Sequence, residues 1–273
     1  MSVDLAVEEM LSLCRIIISL IFLTYASWSD FKKREVSNKV WVLLAPLAFT
    51  LTFLDVYFYE PSLLPSYGIC FGLTATFAVI LFYSGAFGGA DAKALMCLAL
   101  ALPFYPKNLL TLLPREASPI SQVFFPLTVF SNSVLLAALT AFYMLLRNVF
   151  WRQKTGEKLF DGHEDESFGR KLLVLITGYK VPFEKLREKW HLYPLEDIET
   201  AEDELRRRLI VVPKDEGREA ILERLTSAIK TGKIQNAVWA SPGLPMLIFI
   251  TFGLFMALFI GDIVWIFVSF LLG

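Results

Sequence analysis

Histidine occurs twice and cysteine three times in 273 residues. His163 and His191 have no ligand-type partners at metal spacing, and Cys14, Cys70 and Cys97 each lie inside an apolar stretch without a CxxC neighbour. That argues against a zinc site and against a disulfide framework. The cysteines read as small buried hydrophobes and the histidines as ordinary surface residues. No basic excess is present either. The net charge is −1, so nothing in the charge balance points to a nucleic-acid partner. Fifteen glycines and 13 prolines are too few for a collagen-like or low-complexity chain. The charged fraction is 19%, below the roughly 25% of a soluble domain.

Apolar residues are what the chain has in quantity: 55% of the total, with a mean hydropathy of +0.54. The charge is also unevenly placed. Residues 152–236 hold 17 basic and 17 acidic side chains, and the other 188 positions hold only 19 charges. This pattern describes a membrane protein carrying one charge-balanced soluble insert. The chain opens on Asp4, Glu8 and Glu9 instead of a basic n-region, and no small-residue cleavage site closes the first apolar run. The first run therefore reads as a retained helix and not a signal peptide.

A spanning helix needs about 20 mostly apolar residues. Leu11–Ser29, Val40–Tyr59, Tyr67–Tyr83, Pro126–Leu146 and Leu244–Phe270 qualify, and Ala94–Pro106 is a short fourth element. Arg15, near the start of the first span, is long enough to reach the interface. The expected architecture is an all-α polytopic membrane protein of six transmembrane helices, with a small soluble α+β insert between helices five and six. The domain reading is five transmembrane helices over 1–150, the soluble domain over 151–238 and the sixth helix over 239–273. Within the insert, Glu202–Arg208 and Arg218–Ile229 have helical character and Leu209–Pro213 resembles a short strand. The triple Arg206, Arg207, Arg208 could bind lipid headgroups or a partner, but reads first as a solvated helix face.

Basic residues near span ends set orientation. Lys32, Lys33, Arg34 and Lys39 follow the first span, and Arg147, Arg152, Lys154 and Lys158 follow the fifth. Tyr57–Ser66 carries none, and Lys107 and Arg115 are the basic residues between the fourth and fifth. The solution that fits places both termini outside, with the loop at residues 30–39 and the soluble domain cytoplasmic. It requires the short fourth element to cross.

Carboxylates at a bilayer are costly and are functional candidates by default. Four qualify: Asp30, Asp55, Asp91 and Asp262. The topology puts Asp55 and Asp262 on the outer side and lets Asp30 and Asp91 meet at the cytoplasmic face. Asp91 follows a run of small residues, Gly85-Ala-Phe-Gly88-Gly89-Ala90, which lets backbones approach closely. A P-loop is excluded because the GK[ST] ending is missing. Taken alone, Asp91 could be a helix-terminal acid paired with Lys93, and Asp30 could cap a turn. Together, two such acids can share a proton and act as a general acid/base pair on a peptide bond, with no metal or cofactor.

These residues resemble the type IV prepilin peptidases, and among them the archaeal preflagellin peptidases, which are GxGD-type membrane aspartic proteases. Ser29-Asp30-Phe-Lys-Lys-Arg34-Glu35-Val-Ser-Asn38 is similar to the first-aspartate motif. Gly88-Gly89-Ala90-Asp91-Ala-Lys93 is similar to GxGD with its trailing lysine. Trp239-Ala-Ser-Pro242-Gly-Leu-Pro245 and Gly261-Asp262 resemble the start and end of the last helix. The resemblance implies Asp30 and Asp91 as catalytic residues, supported by Gly88, Gly89, Ala90 and Lys93. It also implies removal of short basic class III leaders from archaellin or type IV pilin-like precursors at the cytoplasmic face. Glu35 could meet the leader's basic residues or pair with Arg34 or Lys39. Without a CxxC motif or nucleotide loop, no methyltransferase activity is expected. The motif's second glycine is Ala90 here. If that position needs positive φ, the loop is strained by roughly 1–2 kcal/mol. This departure supports the alternative of a non-enzymatic assembly or transport component with an inactive site. A presenilin-like protease fits less well, because Ser29 precedes the first Asp and the last span begins Pro242-Gly-Leu.

Overall fold

The computed structural model describes residues 3–106, 117–201, 204–210, 217–232, 234–243 and 245–272. Along the chain run α1 (Val3–Lys33), α2 (Asn38–Tyr59), a 3-10 turn (Pro61–Leu63), α3 (Leu64–Tyr83), α4 (Gly89–Ala101), α5 (Pro119–Val123) and α6 (Phe125–Thr155). Then follow α7 (Phe168–Thr177), β1 (Tyr179–Pro182), α8 (Phe183–Glu188), β2 (Leu192–Pro194), β3 (Glu196–Ala201), β4 (Glu204–Leu209), α9 (Arg218–Lys230) and β5 (Ala237–Pro242). Two helices, α10 (Met246–Phe259) and α11 (Ile263–Leu272), close the chain. Residues 1–137 and 245–273 form one compact unit, and residues 138–244 form the other. The basic residues Lys107 and Arg115, and Val211 to Pro213 of the expected short strand, lie outside the described residues.

Four helical segments are long and apolar enough to cross a membrane: 7–33, 38–59, 61–83 and 125–155. The pair α10–α11 counts as a fifth if taken as one span, although it bends by 54°. The protein is thus a multi-pass membrane protein. The bend falls at Gly261, whose φ of +100° is open to glycine and strained for other residues. Asn132 clamps the break, donating to the Gly261 carbonyl at 3.0 Å and accepting from the Ile263 amide at 3.1 Å.

In the first unit, α4 packs against α1, α2, α3 and α10. A helix apolar on every side must be buried on every side. Ala92, Ala94, Leu95, Cys97, Leu98, Ala99 and Ala101 are all buried, and the alanines let the surrounding helices come close. The α6–α10 crossing is closer still: a Cβ on Gly253 would sit 2.7 Å from the Val129 carbonyl oxygen, so only glycine fits. Ser27 on α1 and Thr251 on α10 share a 2.7 Å hydrogen bond. Arg15 turns inward instead of toward the interface, and its guanidinium pairs with Asp55 at 2.6 Å.

In the second unit, β1-β5-β2 forms an antiparallel sheet and β3-β4 a hairpin. Ile221, Leu222 and Leu225 of α9 enter the core with Val181, Leu192 and Val238. The helix expected over 202–208 is overturned, because Glu204–Leu209 is a strand paired with β3. Helix-forming residue types were outweighed by alternation: Arg207 and Leu209 turn inward, and Arg206 and Arg208 are exposed. His163 is not a surface residue. It is 1% exposed, with Nε2 3.2 Å from Glu196. Trp239 does not begin the last helix; it is buried in β5 and stacks on Phe160 at 5.0 Å.

Candidate active site

Asp30 lies in the last turn of α1, and Asp91 in the first turn of α4. The two helices are in contact, and the carboxylates are close enough for the charge of Asp30 to act on Asp91. The sequence motifs 61 residues apart are therefore brought together.

Each motif has a local reason for its shape. After α1 the chain reverses within a few residues. Arg34 takes φ +56°, its amide donates to the Asp30 carbonyl at 2.9 Å, and the Ser29 hydroxyl donates to the Glu35 carbonyl at 2.8 Å. Ser37 then caps α2. At the second motif, the Gly88 amide donates to the Asp91 carboxylate at 3.0 Å, satisfying one of the free amides at a helix start. A Cβ on Gly88 would lie 3.1 Å from that carboxylate oxygen. The expected Lys93–Asp91 pair does not form. Lys93 donates to the Asn38 side chain at 2.7 Å instead, linking the second motif to the start of α2. Asn38 was visible in the first motif but nothing in the sequence gave it a partner. Glu35 is exposed and makes no ion pair with Arg34 or Lys39 among the described residues. Gly89 lies against Phe82.

Ala90 needs no positive φ: it lies inside α4, and among the described residues Arg34 is the non-glycine with φ above zero. The strain considered for this position is absent. Replacing Ala90 by Gly should therefore not raise activity. It should lower helix stability by about 0.5–1 kcal/mol, read as a small fall in melting temperature.

The remaining acids lie elsewhere in the unit. Asp55 is paired with Arg15. Asp262 is 7% exposed, accepts from the Ser118 hydroxyl at 2.8 Å, and caps α11 through the Trp265 amide at 3.1 Å. Both have structural partners. Among the described residues, no group of three or more His, Cys, Asp or Glu could hold a metal ion.

Two family models match the chain. Residues 17–146 match the type IV leader peptidase family, and residues 170–263 match the archaeal peptidase A24 C-terminus, type II. The chain belongs to the type IV leader peptidase family. A preflagellin peptidase of Methanococcus voltae is 26% identical over 253 residues, covering 90% of this chain and 94% of that protein. A preflagellin peptidase of Methanococcus maripaludis strain C6 is 30% identical over 150 residues, covering 52% of this chain and 63% of the relative. The leader peptidase match includes both aspartate motifs, and the C-terminal match includes β5 and the Gly261-Asp262 break.

In this leader peptidase family member, Gly88→Ala would push its Cβ against the Asp91 carboxylate. Small displacements of reacting groups are costly, up to ~10²-fold for 1 Å. The expected result is roughly a tenfold loss of precursor processing with unchanged yield, measured by gel mobility of a pilin-like precursor.

Proposed function

We propose that this protein is a membrane aspartic endopeptidase that removes short basic leader peptides from archaellin or type IV pilin-like precursors. The observation that carries the reading is the convergence of Asp30 and Asp91 at one end of the packed α1–α4 pair. In the proposed reaction the two carboxyls hold one proton between them, since like charges at close range disfavour double ionisation. The ionised member takes a proton from water, and the oxygen attacks the scissile carbonyl carbon. The protonated member donates to the carbonyl oxygen. The tetrahedral intermediate then collapses, the C–N bond breaks, and a carboxyl proton goes to the departing amine. The titration belongs to the pair, so neither role is assigned to one Asp. The activity is proposed as peptidase alone, without methyl transfer.

The topology proposed with it has six crossings, with the soluble domain, expected over 151–238 and extended to Pro242 by β5, between the fifth and sixth. α4 has 13 residues and spans only about 20 Å, short of the ~30 Å core. Residues 102–106 continue the path as non-helical backbone that bends at Pro103 and Phe104. Non-helical backbone at membrane depth is tolerated when protein buries it. Leu102, Pro103 and Pro106 are buried. Thr52, Tyr67 and Cys70 donate to the carbonyls of Ala101, Leu100 and Pro103. With this crossing, the basic residues after α1 and after α6 share the cytoplasmic side, together with Asp30 and Asp91, and both termini lie outside. Exposed Glu35 is then available to a basic leader.

The test is co-expression with a class III precursor. The expected result is a leader-length increase in gel mobility, with cleavage mapped by mass spectrometry ahead of the substrate's hydrophobic helix. A precursor left intact would overturn the reading. The non-enzymatic alternative drew on Ala90, and the helical geometry at that position removes its main support.

A further inference from the structure

Helix α7 is amphipathic in the wrong direction for a helix in water. Phe168, Leu172 and Ile176 fall at i, i+4 and i+8 on one face, with Leu173 beside them. Phe168 is 80% exposed, Leu172 45% and Leu173 42%. The two charged residues of α7 lie on the other side and are tied down. Arg170 pairs with Glu166 at 3.1 Å, and Lys171 donates to the Glu164 carbonyl at 3.0 Å. The outward face thus carries no charge at all. Contiguous exposed apolar surface of this kind marks an interaction site.

The position of α7 on its own unit indicates what covers it. Asn148 on α6 donates to the carbonyls of Leu175 at 2.9 Å and Gly178 at 2.8 Å, pinning the C-terminal end of α7 to α6. At that level α6 still presents a lipid-type surface: Phe150, two residues on, is 65% exposed. Arg152 and Lys154 follow directly and are exposed, the usual mark of the headgroup level. The α7 face is therefore joined to the apolar band of a membrane-crossing helix at the place where that band ends.

We propose that α7 is an interfacial helix, lying along the bilayer surface with Phe168, Leu172, Leu173 and Ile176 turned into the acyl chains. Its partner is the lipid bilayer, and an exposed apolar face with the charged residues on the opposite side is the arrangement expected of a helix seated in that boundary. The proposal concerns the soluble unit and does not depend on the peptidase reading.

The test uses the full native chain reconstituted into phosphatidylcholine vesicles containing a phosphatidylcholine with a photoactivatable diazirine on its acyl chain. After illumination, adducts are mapped by mass spectrometry. The expected result is labelling over 168–177 at least fivefold above that of α9 in the same unit and of the same order as that of α6. Leu172→Asp with Leu173→Asp should cut α7 labelling about fivefold while leaving α6 labelling unchanged. Equal labelling of α7 and α9 would overturn the proposal, whether water, a second copy or another protein covers the face.

Discussion

On the proposed aspartic mechanism, Asp30→Asn and Asp91→Asn are each expected to lower leader removal by about 10³-fold, within the range that positioned acid/base groups contribute. The substitution is nearly isosteric but removes the proton exchange that the proposed mechanism requires of each carboxyl. At position 91 the amide oxygen can still accept the Gly88 N–H that Asp91 accepts at 3.0 Å, so the start of α4 survives and the loss belongs to chemistry. The double variant should be no slower than either single one, because the proposed pair would act as one unit. Asp55→Asn supplies the contrast. It weakens the 2.6 Å contact with Arg15, so it should reduce stability and yield while turnover per folded molecule is kept. All four variants are read by the rate of precursor conversion in detergent, normalised to folded protein. Near-full processing by either the Asp30 or the Asp91 variant would remove the aspartic mechanism.

The elements that sequence patterning located well are those whose constraint is local. Long apolar runs must be helical in lipid because no water is available to the backbone, so α1, α2, α3 and α6 fall close to the expected spans. Asp30 and Asp91 stand out in the sequence because acids at a bilayer are expensive and both lie in motifs, and the structure brings their helices into contact. The errors share a different cause. β4 was read as a helix because Glu, Leu and Arg are good helix formers, and its strand character depends on pairing with β3. The period-2 alternation of Arg206, Arg207, Arg208 and Leu209 was the available signal. The bond from Lys93 to Asn38 crosses 55 residues and has no sequence signature. The broken last span was foreshadowed by Gly261-Asp262, a turn-type pair inside an apolar run. The burial of His163 has no sequence signal because Glu196, its charged partner, lies 33 positions away and reaches it only through the β3–β4 hairpin.

That buried cluster gives the second large expected effect. Glu196 is fully buried. Both its oxygens accept from Arg207 at 2.9 Å, and His163 Nε2 lies 3.2 Å away. Lys180 is 5% exposed and also senses this charge. Burial alone would raise the Glu196 pKa, but the His163 hydrogen bond and the Arg207 charge outweigh it and hold the carboxyl below its ordinary value of 4.5. A depressed folded pKa means that the charged form stabilises the fold. That contribution is complete above the unfolded value and is lost as pH falls below about 4.5 toward the folded pKa. Glu196→Ala leaves Arg207 and Lys180 buried without their central carboxylate, and breaking a buried pair in this way costs about 3–5 kcal/mol. The expected readout is faster hydrogen exchange across β3 and β4 in the full chain, with exchange in α2 and α3 unchanged. Glu196→Gln keeps the shape and removes the titration, so the wild-type loss of β3–β4 protection below pH 4.5 should flatten in that variant once intrinsic exchange rates are corrected. Unchanged protection in the alanine variant would mean that the cluster does not hold the hairpin. An acid dependence equal to wild type in the glutamine variant would place the titrating group elsewhere in the unit.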